Sequence, residues 1–141
     1  MSFKFIDHTA DIAVEVTGNS LEELFVDSAM AWRQSVVNKG LMSSGNVQKL
    51  ELSNVLPEAL LVNFLNELNY LLFTKKWLMN SVVAIKIKKD ALSWNLEAKI
   101  LGEKYSHSRH SFKEEIKAVT FHQMNIKEKG GEYKTRIVFD I

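Results

Sequence analysis

Hydrophobic and polar positions alternate at the start of the chain. Phe3 and Phe5 flank Lys4, and Ile12, Val14 and Val16 are separated by Ala13 and Glu15, the two-residue period of strands with one face in a core. Two short strands are therefore expected over 1–16, joined by the polar run Asp7-His8-Thr9-Ala10-Asp11. After Gly18 the period changes. Ser20-Leu21-Glu22-Glu23 is a capping box, in which the Ser20 hydroxyl accepts from the Glu23 amide and the Glu23 carboxylate reaches back. Leu21, Leu24, Phe25, Ala29, Trp32 and Val36 follow at three- and four-residue steps, with Glu22, Glu23 and Asp27 outside the stripe. Gly40 and Ser43-Ser44-Gly45 end this helix in a loop.

Leu50 and Leu52 alternate with Glu51 and Ser53 in a strand, and Pro57 suits a helix first turn, where its missing N–H has no partner to lose. Leu60, Leu61, Phe64, Leu65, Leu68, Leu71 and Leu72 keep helical spacing, and Val62, Tyr70 and Phe73 widen the stripe past half the circumference. This predicts a central helix covered on two sides, with Lys75 and Lys76 at its negative end. From about Val82 the period is two again. Val83, Ile85 and Ile87 alternate with Lys86 and Lys88, Lys89-Asp90 turns the chain, and Leu92, Trp94, Leu96, Ala98 and Ile100 form the apolar face of the returning strand. A polar loop over 102–112, a strand over 118–126, a Gly130-Gly131 turn and a last strand over 133–141 complete the chain. The order β-β-α-β-α-β-β-β-β predicts an α+β sandwich, two helices packed on a mostly antiparallel sheet, and not a doubly wound fold.

One proline, six glycines and no repeat or low-complexity stretch leave no linker, so residues 1–141 read as a single domain. Hydrophobic residues at 46% with 25% charged exclude disorder, and a formal charge of +1 removes any global field that would mark a nucleic-acid or membrane binder. Zero cysteines exclude thiolate zinc sites, a cysteine nucleophile and disulfides, and fit a reducing compartment. The first residues carry charge and no long apolar stretch, unlike a signal peptide. The apolar region 59–73 is interrupted by Asn63, Asn66, Glu67 and Asn69, too polar and short to span a bilayer. The expected location is the cytoplasm, with no membrane partner.

Candidate chemistry is sparse. On the last strand Tyr133, Thr135, Ile137, Phe139 and Ile141 share a face, so Asp140 points the other way, beside the Ile141 carboxylate. With a third group such as Asp11, these would form an oxygen-rich cluster for a hard cation, Ca²⁺, Mg²⁺ or Mn²⁺. Read from spacing alone, Asp140 is better explained as solvating a frayed terminus. The 7–11 run is either a site loop with His8 as proton carrier or a turn whose Asp and Thr side chains cap backbone amides. His107 and His110, three residues apart, read as a solvated loop rather than a zinc pair, and His122 as a hydrogen-bonded, half-buried residue. The lysines from Lys86 to Lys89 read as a soluble sheet face that blocks strand pairing, with phosphate contacts as the other reading. Trp32 and Trp94 read as core, and the dispersed glycines form no nucleotide-binding fingerprint.

Together the residues resemble one family. Phe5-Ile6-Asp7-His8-Thr9-Ala10-Asp11-Ile12, the 18–25 segment opening the first helix, Lys117-Ala118-Val119-Thr120-Phe121-His122 and the closing Ile137-Val138-Phe139-Asp140-Ile141 are similar to archease, over essentially the whole length. Gly102-Glu103, His110 and Leu65-Asn66-Glu67-Leu68 also resemble family positions, whereas Phe121 stands where Tyr is frequent and Ala13 where Gly is common. The resemblance implies a protein that is not itself an enzyme but activates an RtcB-type RNA ligase. It would promote transfer of GMP from GTP to the ligase and support multiple turnover in tRNA splicing and RNA repair, meeting RNA only indirectly. It also implies a divalent-metal site at Asp11, Asp140 and the Ile141 carboxylate, calcium first, with magnesium or manganese as alternatives, and His8 and His122 supporting the metal loop. Oligomeric state is left open. The competing reading is a general chaperone or RNA-binding modulator of RNA-processing enzymes.

Overall fold

The computed structural model describes residues 2–6, 11–37, 45–106, 110–111, 113–120 and 124–141. The elements are β1 (Ser2–Ile6), β2 (Asp11–Gly18), α1 (Leu21–Val36), β3 (Asn46–Asn54), α2 (Pro57–Phe73), β4 (Trp77–Lys89), β5 (Trp94–Lys104), β6 (Ala118–Thr120), β7 (Lys127–Lys129) and β8 (Glu132–Asp140). Every strand pair is antiparallel. The strands divide into a five-stranded sheet, β1-β2-β8-β6 with β7 also on β8, and a three-stranded sheet, β3-β5-β4. The α+β architecture of two helices on antiparallel sheet is as the periodicity predicts.

The capping box forms in altered shape. Ser20 Oγ accepts from the Glu23 amide at 3.1 Å, while the Glu23 carboxylate reaches the Asn19 N–H at 2.7 Å rather than that of Ser20. Helix α1 touches β2 and β4, and α2 touches β3, β4 and β6, so the helices fill the space between the two sheets. Phe25 and Phe64, both fully buried, meet at 6.0 Å between ring centres where the helices face each other. Each such side chain contributes about 2–3 kcal/mol by leaving water. At the end of α2, Lys76 adopts φ 57° and its Nζ donates to the Phe73 carbonyl at 3.0 Å, satisfying an end-of-helix acceptor.

Several expectations are corrected. Strand β4 begins at Trp77, not near Val82, because register shifts between Met79 and Ser81 and between Val82 and Ala84 break the two-residue period there. Those shifts turn Val83 outward, 56% exposed, and Leu92 lies in the β4–β5 turn at 85% exposed rather than on an apolar face. Tyr70 is 46% exposed, so α2 buries a narrower stripe than predicted. The strand expected over 118–126 ends at Thr120 within the described residues, and a separate β7 pairs with β8 through the Gly130-Gly131 turn, whose φ values of 61° and 85° suit glycine. Asp27 belongs to the buried face of α1, not outside it.

Candidate metal centre

The register of the five-stranded sheet sets the site. Asp11, the first residue of β2, lies directly opposite Asp140, the last residue of β8. Directly opposed residues in an antiparallel pair project from the same face, with Cβ atoms about 5 Å apart. That face is the one away from the core: Ile12, Val14 and Val16 pack inward with Ile137 and Phe139, leaving Asp11 half-buried and Asp140 exposed. The expected separation of Asp140 from the Phe139 face is therefore observed, and the two ends of the chain's sequence pattern meet.

Strand β6 fixes the other side of Asp140. Ala118 is opposite Asp140 in that ladder, and the Lys117 N–H donates to the Asp140 carbonyl at 2.7 Å. Helix α2 holds β6 through its polar positions. Asn66 Oδ1 accepts from the Val119 N–H at 3.0 Å, and Asn69 Nδ2 donates to the Ile116 carbonyl at 2.7 Å while its Oδ1 accepts from Trp32 Nε1 at 3.0 Å. Glu58 accepts from the Ile126 N–H at 3.0 Å. The polar interruptions of the α2 stripe are thus clamps on the segment that flanks the acid pair. Sequence spacing showed them as polar gaps; for Asn69 the steps of four from Leu65 and three to Leu72 were the available sign that it lies beside the core, and Asn66 has no such sign.

Two carboxylates on one face form a hard-oxygen donor set, and the Ile141 carboxylate adjoins them in sequence. Among the described residues no group of three or more His, Asp or Glu side chains that could hold a metal ion gathers, and Asp11 and Asp140 are the two described acids at this place. The residues fit a hard divalent cation: like charges directly opposed on neighbouring strands repel, and a cation between them converts repulsion to attraction. His8 and His122, like Asp7, Thr9 and His107, lie outside the described residues.

The reading of His110 as part of a solvated loop is corrected. It is 4% exposed, its Nε2 is 2.9 Å from the Glu103 carboxylate, its Nδ1 accepts from the Ser106 N–H at 2.9 Å, and its ring stacks on Tyr105. Glu103 also acts electrostatically on Arg33, whose guanidinium burial pushes below its usual range while Glu103 opposes that shift. Arg33 Nε donates to the Met79 carbonyl at 3.2 Å. This buried polar group joins α1, β4 and the end of β5, remote in sequence from the acid pair.

The comparisons with known proteins agree with the fold. The Archease protein family (MTH1598/TM1083) model matches residues 3–141. The archease of Pyrococcus abyssi is 36% identical over 136 residues, 96% of this chain and 95% of that protein. The archease of Methanosarcina acetivorans is 30% identical over 139 residues, 99% of this chain and 95% of that protein. The solution structure of Methanobacterium thermoautotrophicum protein 1598 superposes with a TM-score of 0.84 at 29% identity, covering 99% of this chain and 98% of that one. The crystal structure of a Thermotoga maritima archease, described as a possible chaperone, gives 0.61 at 26% identity, covering 98% and 96%. With the family pattern matched from the first strand to the last residue, this chain belongs to the archease family.

Proposed function

We propose that the chain is a metal-binding protein cofactor that activates an RtcB-type RNA ligase, raising guanylylation of the ligase and supporting its multiple turnover in tRNA splicing and RNA repair. The observation that carries the reading is the pairing of Asp11 with Asp140 on one outward sheet face. Asp11, Asp140 and the Ile141 carboxylate would hold a divalent cation, calcium first, with magnesium or manganese as alternatives, and His8 and His122 would support the loop. Such a cation would supply positive charge for nucleotide phosphates within the ligase cleft. The chain's own part is positional. Strands β2 and β6 grip β8 from both sides, so the acidic tip enters a partner with little conformational entropy left to lose. The chain forms no covalent intermediate with the nucleotide and acts in the cytoplasm; among the described residues no helix is long and apolar enough to cross a membrane.

The test is GMP attachment to a purified RtcB-type ligase, followed with radiolabelled GTP and with and without this protein. Stimulation by the wild type, lost in Asp11→Ala and Asp140→Ala variants that unfold at nearly the wild-type temperature, supports the reading; no stimulation of a cognate ligase rejects it. A general chaperone role, in keeping with the description of the Thermotoga relative as a possible chaperone, predicts instead that the protein suppresses aggregation of unrelated clients, and that the two aspartates do not matter for it.

A further inference from the structure

The outward face that carries the acid pair becomes basic further back along β8. Lys134 and Arg136 project from it at alternate positions, and Lys127 of β7 lies directly opposite Lys134. With Glu15, Asn125 and Thr135 they line an open groove of about 460 Å³. Among the described residues Glu15 is the one acid on this lining; it is bound to Lys134 at 3.1 Å and lies opposite Arg136 in the β2–β8 ladder. Lys127 and Arg136 have no ion-pair partner among the described residues. Two lysines held opposite each other across a ladder repel, as do two aspartates. The lysine-rich sheet of β3, β5 and β4 is also basic, with Lys49 opposite Lys99, but acids are interleaved with its lysines: Lys86 faces Glu97, and Lys49 lies 3.7 Å from Glu51.

We propose that the groove formed by Lys127, Lys134 and Arg136 binds the phosphate backbone of single-stranded RNA directly. This does not depend on the ligase reading. Lys134 and Arg136 are about 7 Å apart along the strand, near the step between successive phosphates of an extended chain. Arg136 offers a planar fork suited to phosphate oxygens, and Lys127 and Lys134 supply point charges. Among the described residues the lining holds no aromatic or large aliphatic side chain, the anchors on which tight protein partners rely. Phosphate contacts need none, and contacts to phosphate carry no base-sequence information. Glu15 opposes the anion, so its position limits affinity.

The experiment uses the full chain and a fluorescent oligouridylate of about 15 nucleotides, followed by anisotropy across about 50 to 200 mM salt. Three cations predict a log–log salt slope of about −2. A Lys127→Gln/Arg136→Gln double variant should weaken binding about tenfold or more and flatten the slope by about one or more, and Glu15→Gln should tighten it. Lys86→Gln/Lys88→Gln should change affinity less than about twofold, since both lysines lie outside the groove, and a loss there equal to that of the groove variant overturns the assignment. Unfolding temperatures confirm that each variant is folded, and single variants replace the double if it is not. Absent or salt-independent binding, or binding unaffected by the groove variants, overturns the proposal. Displacement of the RNA by tripolyphosphate at equal phosphate concentration overturns the nucleic-acid assignment in favour of a free phosphate ligand. Stronger displacement by polyglutamate overturns it in favour of an acidic protein segment.

Discussion

Asp11 and Asp140 are direct partners in the β2–β8 ladder, although 129 positions separate them in the sequence. Their shared face makes metal occupancy visible in stability. Without metal the opposed charges cost about 0.2–1 kcal/mol, so Asp140→Asn should unfold at a slightly higher temperature than the wild type in chelator. With calcium at about a hundred times its dissociation constant, the wild type gains about 2.7 kcal/mol and the variant little, which reverses the order. Calorimetry with and without calcium reads both halves. An unchanged order in excess Ca²⁺, Mg²⁺ and Mn²⁺ would show that the pair binds no such ion.

Much of this was legible in the residues. The alternation in 133–141 puts Asp140 on the face opposite Phe139, and the similarity to the family joins it to Asp11. Pairing itself was not legible, because periodicity gives the face of a residue and not the strand beside it. The β4 bulges escaped for a related reason: each inserts a residue that inverts the alternation beyond it. Gly102 shows a third kind of gap. A Cβ there would come within 2.6 Å of the Trp77 ring and 2.4 Å of the Leu78 carbonyl, a constraint from packing that no local pattern announces. Asp27 and His110 are polar residues whose burial depends on tertiary neighbours, and spacing alone placed both in solvent.

Asp27 is 5% exposed and its Oδ2 has no hydrogen-bond partner among the described residues. Burial pushes its carboxyl above the usual 3.8, with repulsion from Glu23 adding to the rise and the positive amino terminus opposing it. The folded protein therefore holds the proton to higher pH than the unfolded chain does. The cost of the charge is complete above the raised folded value and shrinks as the pH falls through it toward 3.8. Asp27→Asn should stabilise by about 1 kcal/mol at pH 7, or about 3 °C, and this advantage should narrow on acidification. Urea melts of both proteins between about pH 4 and 7 check the sign.

Asn69 joins three elements: it accepts from Trp32 of α1, belongs to α2, and donates to the Ile116 carbonyl just before β6. Asn69→Ala leaves the Trp32 N–H and that carbonyl without their partner and should cost about 2–3 kcal/mol. Asn66→Ala removes the acceptor of the Val119 N–H and should cost about 1–2 kcal/mol. Both losses loosen β6 beside Asp140. If this clamp positions the acid, hydrogen exchange at Lys117, whose N–H is bound to the Asp140 carbonyl, should quicken in both variants before global unfolding does. Exchange that tracks global stability alone would remove the clamp from the argument.

The Glu103–His110 pair makes a prediction about proton placement. The Ser106 N–H must donate, so Nδ1 of His110 presents its lone pair and the ring proton resides on Nε2, directed at Glu103. The bond is then a neutral imidazole donating to a carboxylate, and nitrogen NMR should report an Nε2–H tautomer at pH 7. Protonating Nδ1 would break the Ser106 contact inside a site where His110 is 4% and Glu103 6% exposed. Removing the imidazole takes one donor from a buried carboxylate, so His110→Ala should cost about 2–3 kcal/mol. Glu103→Gln keeps an oxygen acceptor for Nε2–H without the charge and should cost about 1 kcal/mol. An Nδ1–H signal, or equal losses in the two variants, would mean that the pair is held by charge rather than by this directed hydrogen bond.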